Sequence, residues 1–228
     1  MKLSVLIPCY NEKETIIKVI NNIFINYTDD KEVIIINDFS TDGTTDLLNS
    51  LNNKNIKIIN HTKNLGKGSA IQSGLKIATG DVILIQDADL EYDSKDYKNL
   101  ISPILNNNAD VVYGSRFLGG KEVRIHFFWH YLANKLLTFF CNIFTNLNMS
   151  DMETGYKVFK ANAIKSLSLK EKGFGFEPEI TIKLAKKKLI FFEVPISYYG
   201  RDYSEGKKIT IIDAFIALYC IVRYSFKD

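Results

Sequence analysis

GDVILIQDADLEYD, residues 80–93, runs four consecutive aliphatic residues, Val82 to Ile85, straight into Asp87, Asp89, Glu91 and Asp93. A short apolar run after a glycine reads as a strand buried on both faces, the kind found in parallel sheets. A buried strand that ends in carboxylates needs something at its end to use them. Outward from it, LSVLIP at 3–8, EVIIIND at 32–38 and NIKIIN at 55–60 are runs of the same kind, separated by segments of helical periodicity such as ETIIKVINNIF at 14–24. This βα alternation predicts an α/β fold with a mainly parallel sheet covered by helices and a ligand crevice at the carboxyl ends of its strands. Each expected strand end is polar: 8–12, 37–42, 60–64 and 86–93. The four clusters are therefore expected to form one site.

The 228 residues, 46% of them hydrophobic, suffice for one core, and no Pro/Gly-rich linker or internal repeat divides the chain, so a single domain over 1–228 is expected. Cys9, Cys141 and Cys220 show no paired spacing and no Cys/His cluster, which argues against zinc and fits a reducing cytoplasm. The opening MKLSVLIPCYNE reads as a first strand, because Pro8, Asn11 and Glu12 stand where a signal peptide needs small residues. The net charge of +3 hides an asymmetry: residues 1–115 carry 11 Lys+Arg against 15 Asp+Glu, and residues 116–228 carry 18 against 11. An acidic half and a basic half suggest two tasks.

Two carboxylates one residue apart after a strand suit a hard cation, Mg²⁺ or Mn²⁺, which commonly binds one or two carboxylates together with substrate phosphates. HTKNLGKGSAIQSGL at 61–75 adds Gly66 and Gly68 just before a helix, for close backbone approach, and Lys67 as a point charge for a phosphate. Neither a Walker loop nor G-x-G-x-x-G is present there.

IPCYNE at 7–12, INDFSTDGT at 36–44, NLGKGSA at 64–70 and DAD at 87–89 resemble, in order and spacing, family-2 glycosyltransferases of the GT-A (Rossmann-like) fold. YGSRF at 113–117, FWHYLANKLLT at 128–138, DMETGYKVFK at 151–160, GFEPEI at 175–180 and YYGRDYSEGKKI at 198–209 are similar to the polyprenyl-phosphate (dolichyl-phosphate) mannosyl- and glucosyltransferase branch. The resemblance implies a metal-dependent, inverting hexosyltransferase from a nucleotide sugar, GDP-mannose or UDP-glucose, to a polyprenyl phosphate. It gives Pro8, Tyr10, Glu12 and Asp38 to the nucleoside, and Asp87, Ala88 and Asp89 to the ribose, diphosphate and metal, with Lys67 on the phosphate side and Glu91 as a further metal contact. Arg116 and Arg201, with Arg124 behind them, fall in matching segments and suit an acceptor phosphate, since guanidinium binds phosphate in bidentate fashion. Asp89, Arg116 and Arg201 are thus the expected catalytic set, with 1–115 as the nucleotide-sugar half and 116–228 as the acceptor half. The chain departs from the pattern at Asn37, where many relatives have Asp.

In RIHFFWHYLANKLLTFFCNIFTNLNM, residues 124–149, His126, His130, Asn134, Thr138, Asn142 and Asn146 form a polar ridge every four residues and aromatic and aliphatic side chains fill the rest. The helix is expected to be amphipathic and to lie on a membrane, its Phe140 and Phe144 toward lipid, with 209–226 as a second such element and the protein peripheral on the cytoplasmic face. Contact with nucleic acid is not expected. Glu177 and Glu179, flanking Pro178, are read either as dipole-favoured helix-start carboxylates or as contacts to the sugar. Three other functions are weighed: a family-2 enzyme acting on a sugar hydroxyl, with Glu177 or Glu179 as base; a phosphatase using the first Asp of the pair; and a non-catalytic nucleotide-sugar module.

Overall fold

The computed structural model describes residues 1–125, 127–202 and 211–227. The four apolar runs become β1 (Leu3–Cys9), β2 (Lys31–Asn37), β3 (Ile56–Asn60) and β4 (Val82–Ile85). β2 and β4 are buried along their whole length and β1 nearly so, while β3, at the sheet edge, is half-exposed. They pair in parallel, Cys9 level with Asn37 and Asn37 level with Asn60, so the polar ends do meet at one edge.

The whole sheet has seven strands in the order β3-β2-β1-β4-β6-β5-β7, with β5 (Val111–Ser115), β6 (Lys157–Lys160) and β7 (Phe191–Pro195). β6 is inserted antiparallel between β4 and β5, and β7 is parallel to β5. Because β6 runs the other way, its amino end lies where the parallel strands finish. This brings the 151–156 segment, otherwise remote in sequence, beside the end of β4.

Helices cover both faces. One core gathers Ile16, Val19, Ile20 and Ile23 of α1 (Ile16–Asn26) with Tyr97, Leu100, Ile101 and Ile104 of α4 (Tyr97–Leu105), which follows the short α2 (Thr44–Asn49) and α3 (Lys67–Ile77) in the chain. The opposite core gathers α3 and the C-terminal helices α5 (Phe128–Thr145), α6 (Ala161–Lys165), α7 (Phe176–Lys186) and α8 (Ile211–Phe226).

α5 reverses the usual helix design. From Asn134 to Asn142 its polar ridge faces inward: Asn134 Nδ2 donates to Asp151 at 3.1 Å, Thr138 Oγ1 accepts from Met152 N at 3.1 Å, and Asn142 clasps both polar groups of the Met149 backbone. Its outer side exposes Phe128, Trp129, Leu132, Leu136, Phe139 and Ile143. Phe140, expected to face outward, packs instead against the core, and Phe144 stacks edge-on against Phe226. α8 buries Ala217, Cys220, Ile221 and Tyr224 and exposes Ile212, Phe215, Ile216, Tyr219 and Phe226. His126 of the ridge, and 203–210 of the C-terminal segments, lie outside the described residues. Among the described residues no helix is long and apolar enough to cross a membrane.

Candidate active site

A cavity of about 800 Å³ opens at the carboxyl edge of the sheet, lined by Pro8, Tyr10, Glu12 and Asp38 from the β1 and β2 ends, Asp87, Ala88, Asp89 and Glu91 after β4, and Arg116 after β5. Lys67, Glu153, Glu177, Arg201 and Asp213 add to its charged lining, and α5 and α8 wall it through Trp129, Asn134, Leu137 and Ala217. Both halves of the chain therefore build one site.

Asp87 and Asp89 lie where the sequence places them, on the turn leaving β4. Burial, and then the charges of Asp87 and Glu91, push Asp89 up to about 8, although Arg201 donates to it at 2.8 Å. The one guanidinium does not offset three neighbouring carboxylates, and a divalent cation held there would add the missing counter-charge. The donor set, two carboxylates beside room for a phosphate, fits Mg²⁺ or Mn²⁺. Gly155 packs so close to Asp87 that a Cβ there would collide with its carboxylate.

Glu91 does not join them. Its carboxylate accepts from Tyr198 OH and from Arg201 N, both at 2.7 Å, and its carbonyl from Tyr199 N at 2.8 Å, so it fastens the segment after β7 to the turn after β4. Among the described residues no three His, Cys, Asp or Glu side chains converge on one ion position.

Asp38 is buried and holds a loop rather than offering an open carboxylate. It accepts from Leu65 N at 2.8 Å, Gly66 N at 2.7 Å and the His61 ring at 2.7 Å, and His61 reaches on to Ser73 at 2.9 Å. Asn37, the departure from the family pattern, ties Asn60 and Thr45 to the same region at 2.9 Å each. The glycines at the start of α3 have a different task from the one expected. Gly66, at φ +91°, and Gly68 make room for the backbone of Glu171 and Lys172, and Ser69 N donates to Lys172 O at 3.0 Å, which takes a first-turn donor of α3 away from any phosphate.

Lys67 bridges Asp87 at 2.9 Å and Glu177 at 3.0 Å. Burial alone would lower its pKa, but the two carboxylates outweigh it and keep the ammonium charged. Glu177, at 3% exposure, is thus a cavity residue, whereas Glu179 is turned away, capping Lys170 N and Glu171 N and pairing with Lys183 at 2.7 Å.

The three arginines separate. Arg116 makes a bidentate pair with fully buried Asp151, through Nε and Nη2 at 2.7 Å each, so Nη1 is the guanidinium edge left over in the cavity lining. Burial would raise Asp151, yet the Arg116 guanidinium holds it below the usual carboxylate range. Arg201 sits among Asp89 at 2.8 Å, Glu12 at 3.4 Å and Glu91 at 3.5 Å. Arg124 is outside the cavity lining and joins Gly200 O at 2.9 Å and Asp202 at 2.7 Å, a rim position that arranges the chain around Arg201.

Glu153 was missed by sequence reasoning, although it lies inside the DMETGYK segment. Burial and the Glu177 charge push it up to about 7, and Lys157 beside it is pushed down to about 8 by burial. A lone Glu between Met152 and Thr154 carries no periodic signal, and only the reversed direction of β6 brings it to the cavity.

A mainly parallel α/β sheet with paired Asp residues at a strand end, backed by a lysine and an arginine, defines a protein that handles a phosphorylated ligand. Residues 4–168 match the family model Glycosyl transferase family 2, and the chain belongs to that family. It is a glycosyltransferase. The chain is 30% identical to a dolichol-phosphate mannosyltransferase of Pyrococcus furiosus over 98% of its length, spanning 64% of that relative. It is 30% identical to a UDP-N-acetylglucosamine–dolichyl-phosphate N-acetylglucosaminyltransferase of Methanococcus voltae, covering 94% of this chain and 92% of that one. An undecaprenyl-phosphate mannosyltransferase of Micrococcus luteus is 27% identical, covering 91% and 87%. In three dimensions the chain is similar to glucosyl-3-phosphoglycerate synthase of Mycobacterium tuberculosis, crystallised with Mn²⁺, UDP and phosphoglyceric acid, at a TM-score of 0.73 and 17% identity over 99% of this chain and 78% of that one. That likeness establishes the GT-A-like fold.

Proposed function

We propose that the protein transfers a hexosyl unit, mannose or glucose, from GDP-mannose or UDP-glucose to a polyprenyl phosphate at a membrane surface, with inversion at the anomeric carbon. The observation that carries the reading is that one cavity joins the Asp87–Lys67 end to the Arg116 edge, while α5 and α8, which wall it, turn apolar side chains outward. The activities named for the three relatives, each on a polyprenyl or dolichyl phosphate, support the acceptor class.

In this reading Pro8, Tyr10 and the loop held by Asp38 receive the nucleoside, and Asp87 and Asp89 would hold Mg²⁺ or Mn²⁺ against the diphosphate. A cation there offsets the negative charge that develops as the diphosphate leaves. Arg116 Nη1 and Arg201 receive the acceptor phosphate, with 1–115 contributing most of the donor side and 116–228 most of the acceptor side. A phosphate monoester has a second pKa of about 6 and is largely dianionic at pH 7, so its oxygen attacks without a general base. A new bond from C1 to the lipid phosphate oxygen forms as the bond from C1 to the diphosphate oxygen breaks, and no proton changes place. The residues' work is to hold two anionic partners in line, which Lys67, Arg116 and Arg201 do with positive charge.

The outward faces of α5 and α8 are assigned to the lipid surface, since exposed Phe, Trp and Leu side chains suit an interfacial helix. The test supplies labelled GDP-mannose, UDP-glucose or UDP-N-acetylglucosamine with polyprenyl phosphate and Mg²⁺ or Mn²⁺, and follows label into the organic phase. Label that stays in water, or passes only to a sugar hydroxyl acceptor, overturns the lipid-phosphate reading.

A further inference from the structure

Two carboxylate oxygens at the cavity, Glu153 Oε1 and Glu177 Oε2, are buried without a hydrogen-bond partner. Buried polar atoms in native proteins are almost always paired, and those left over at a site point to what the site takes up. Nearby cations do not serve them. Lys67 is engaged by Asp87 and by the other oxygen of Glu177, and Lys157, buried over the Tyr113 ring, donates to Thr154 O.

The chemistry of these two oxygens restricts the occupant. They sit on neighbouring acidic groups, each lying in the other's electrostatic field, so they repel a phosphate and call for a neutral group that donates to a carboxylate and accepts from a carboxyl that keeps its proton. Hydroxyls do both. Their place agrees: Lys67 is shared by Asp87, where the diphosphate is assigned, and Glu177, and Glu153 lines the same cavity, so both oxygens lie within one cavity with the diphosphate end.

We propose that Glu153 is a specificity-determining residue that accepts a hydrogen bond from a hydroxyl of the transferred hexosyl ring, with Glu177 Oε2 receiving a neighbouring hydroxyl. This rests on the nucleotide-sugar reading above. Burial, which holds Glu153 at about 7, is the unfavourable state that a bound hydroxyl relieves. Discrimination follows because a sugar lacking that hydroxyl leaves a buried acceptor unpaired.

The test is calorimetry on the whole chain with Mn²⁺, using GDP, UDP, GDP-mannose, UDP-glucose and UDP-N-acetylglucosamine, followed by monodeoxy versions of whichever nucleotide sugar binds. Glu153→Ala is expected to weaken that nucleotide sugar by about 10- to 100-fold, the loss of one charge-assisted hydrogen bond, and to leave its nucleoside diphosphate unchanged. Glu153→Gln, which keeps an amide oxygen as acceptor, is expected to fall between. One monodeoxy donor should bind the wild type as weakly as the parent sugar binds Glu153→Ala, with no further loss on combining the two changes. The proposal is overturned if the nucleoside diphosphate weakens in step with the sugar, or if every monodeoxy donor loses equally on both proteins. Should Glu153→Ala not fold, the deoxy series on wild type and Glu153→Gln reads the same coupling. A wild type that binds no nucleotide sugar overturns the donor reading itself, an outcome distinct from a Glu153 variant that binds like the wild type.

Discussion

Asp151→Asn tests whether Arg116 is a strut or an acceptor-binding group. In the folded chain the Asp151 carboxylate is fully buried and takes the guanidinium through two bonds of 2.7 Å, the Arg116 backbone N–H at 3.1 Å and Asn134 at 3.1 Å. Removing one partner of such a buried pair costs about 3–5 kcal/mol, because the other charge is left uncompensated. The Asn amide oxygen still accepts from one donor, and the guanidinium keeps its place 5.1 Å from the Tyr198 ring, so the lower end applies. For a domain of this size about 3 kcal/mol lowers the melting temperature by roughly 6–12 °C. Arg116→Met should cost a similar amount by stranding the carboxylate. The double variant Arg116→Met/Asp151→Asn should regain most of that stability, since neither charge remains buried alone, yet stay as inactive toward lipid phosphate as Arg116→Met. Thermal melts and the lipid-phosphate KM at saturating donor are the two readouts. A double variant no more stable than the single ones refutes the pairing argument. A double variant that turns over like the wild type refutes the acceptor role and leaves Arg116 a strut.

Asp89→Asn should remove most turnover and Mn²⁺ binding by calorimetry. It should also raise the melting temperature of the metal-free protein near pH 8, since a carboxyl group raised from 3.8 to about 8 costs stability as pH climbs between those values. Glu32 works in the opposite sense. Burial would raise it, but hydrogen bonds from Lys57, Ser4 and Thr79 hold it at about 2, so its contribution is present above about pH 4.5 and is lost as pH falls toward 2. Glu32→Gln should flatten urea-denaturation stability across that window by about 2 kcal/mol, a figure reduced for the solvent-exposed ammonium groups of Lys57 and Lys2. Phe139→Asp with Ile143→Asp should abolish binding to anionic vesicles without lowering the melting temperature, because both side chains are exposed on α5. An unfolded double variant would show that they belong to the core.

The first four strands, their parallel pairing and the meeting of their polar ends were legible in the sequence, because a strand buried on both faces must be apolar throughout and must end where it meets water. Asp87, Asp89 and Lys67 were legible as residues of the cavity for the same reason, since each follows a strand or opens a helix at that edge, whereas Arg116 was reached through the family resemblance of its segment. Their partners were not. That Glu91 fastens Tyr198 and Arg201, that Asp38 holds a loop through His61, and that Lys67 spans Asp87 and Glu177 depend on side chains up to 110 positions apart. The polar ridge of α5 was visible as a period of four, but periodicity reports only that two faces differ. Which face turns inward was decided by the polar groups of 149–152, the Met149 and Met152 backbone and the buried Asp151 carboxylate, which needed donors and acceptors more than the apolar side chains needed cover. Glu153 reached the cavity because β6 pairs antiparallel with β4, and strand direction is a property of the assembled sheet that no local run of residues encodes.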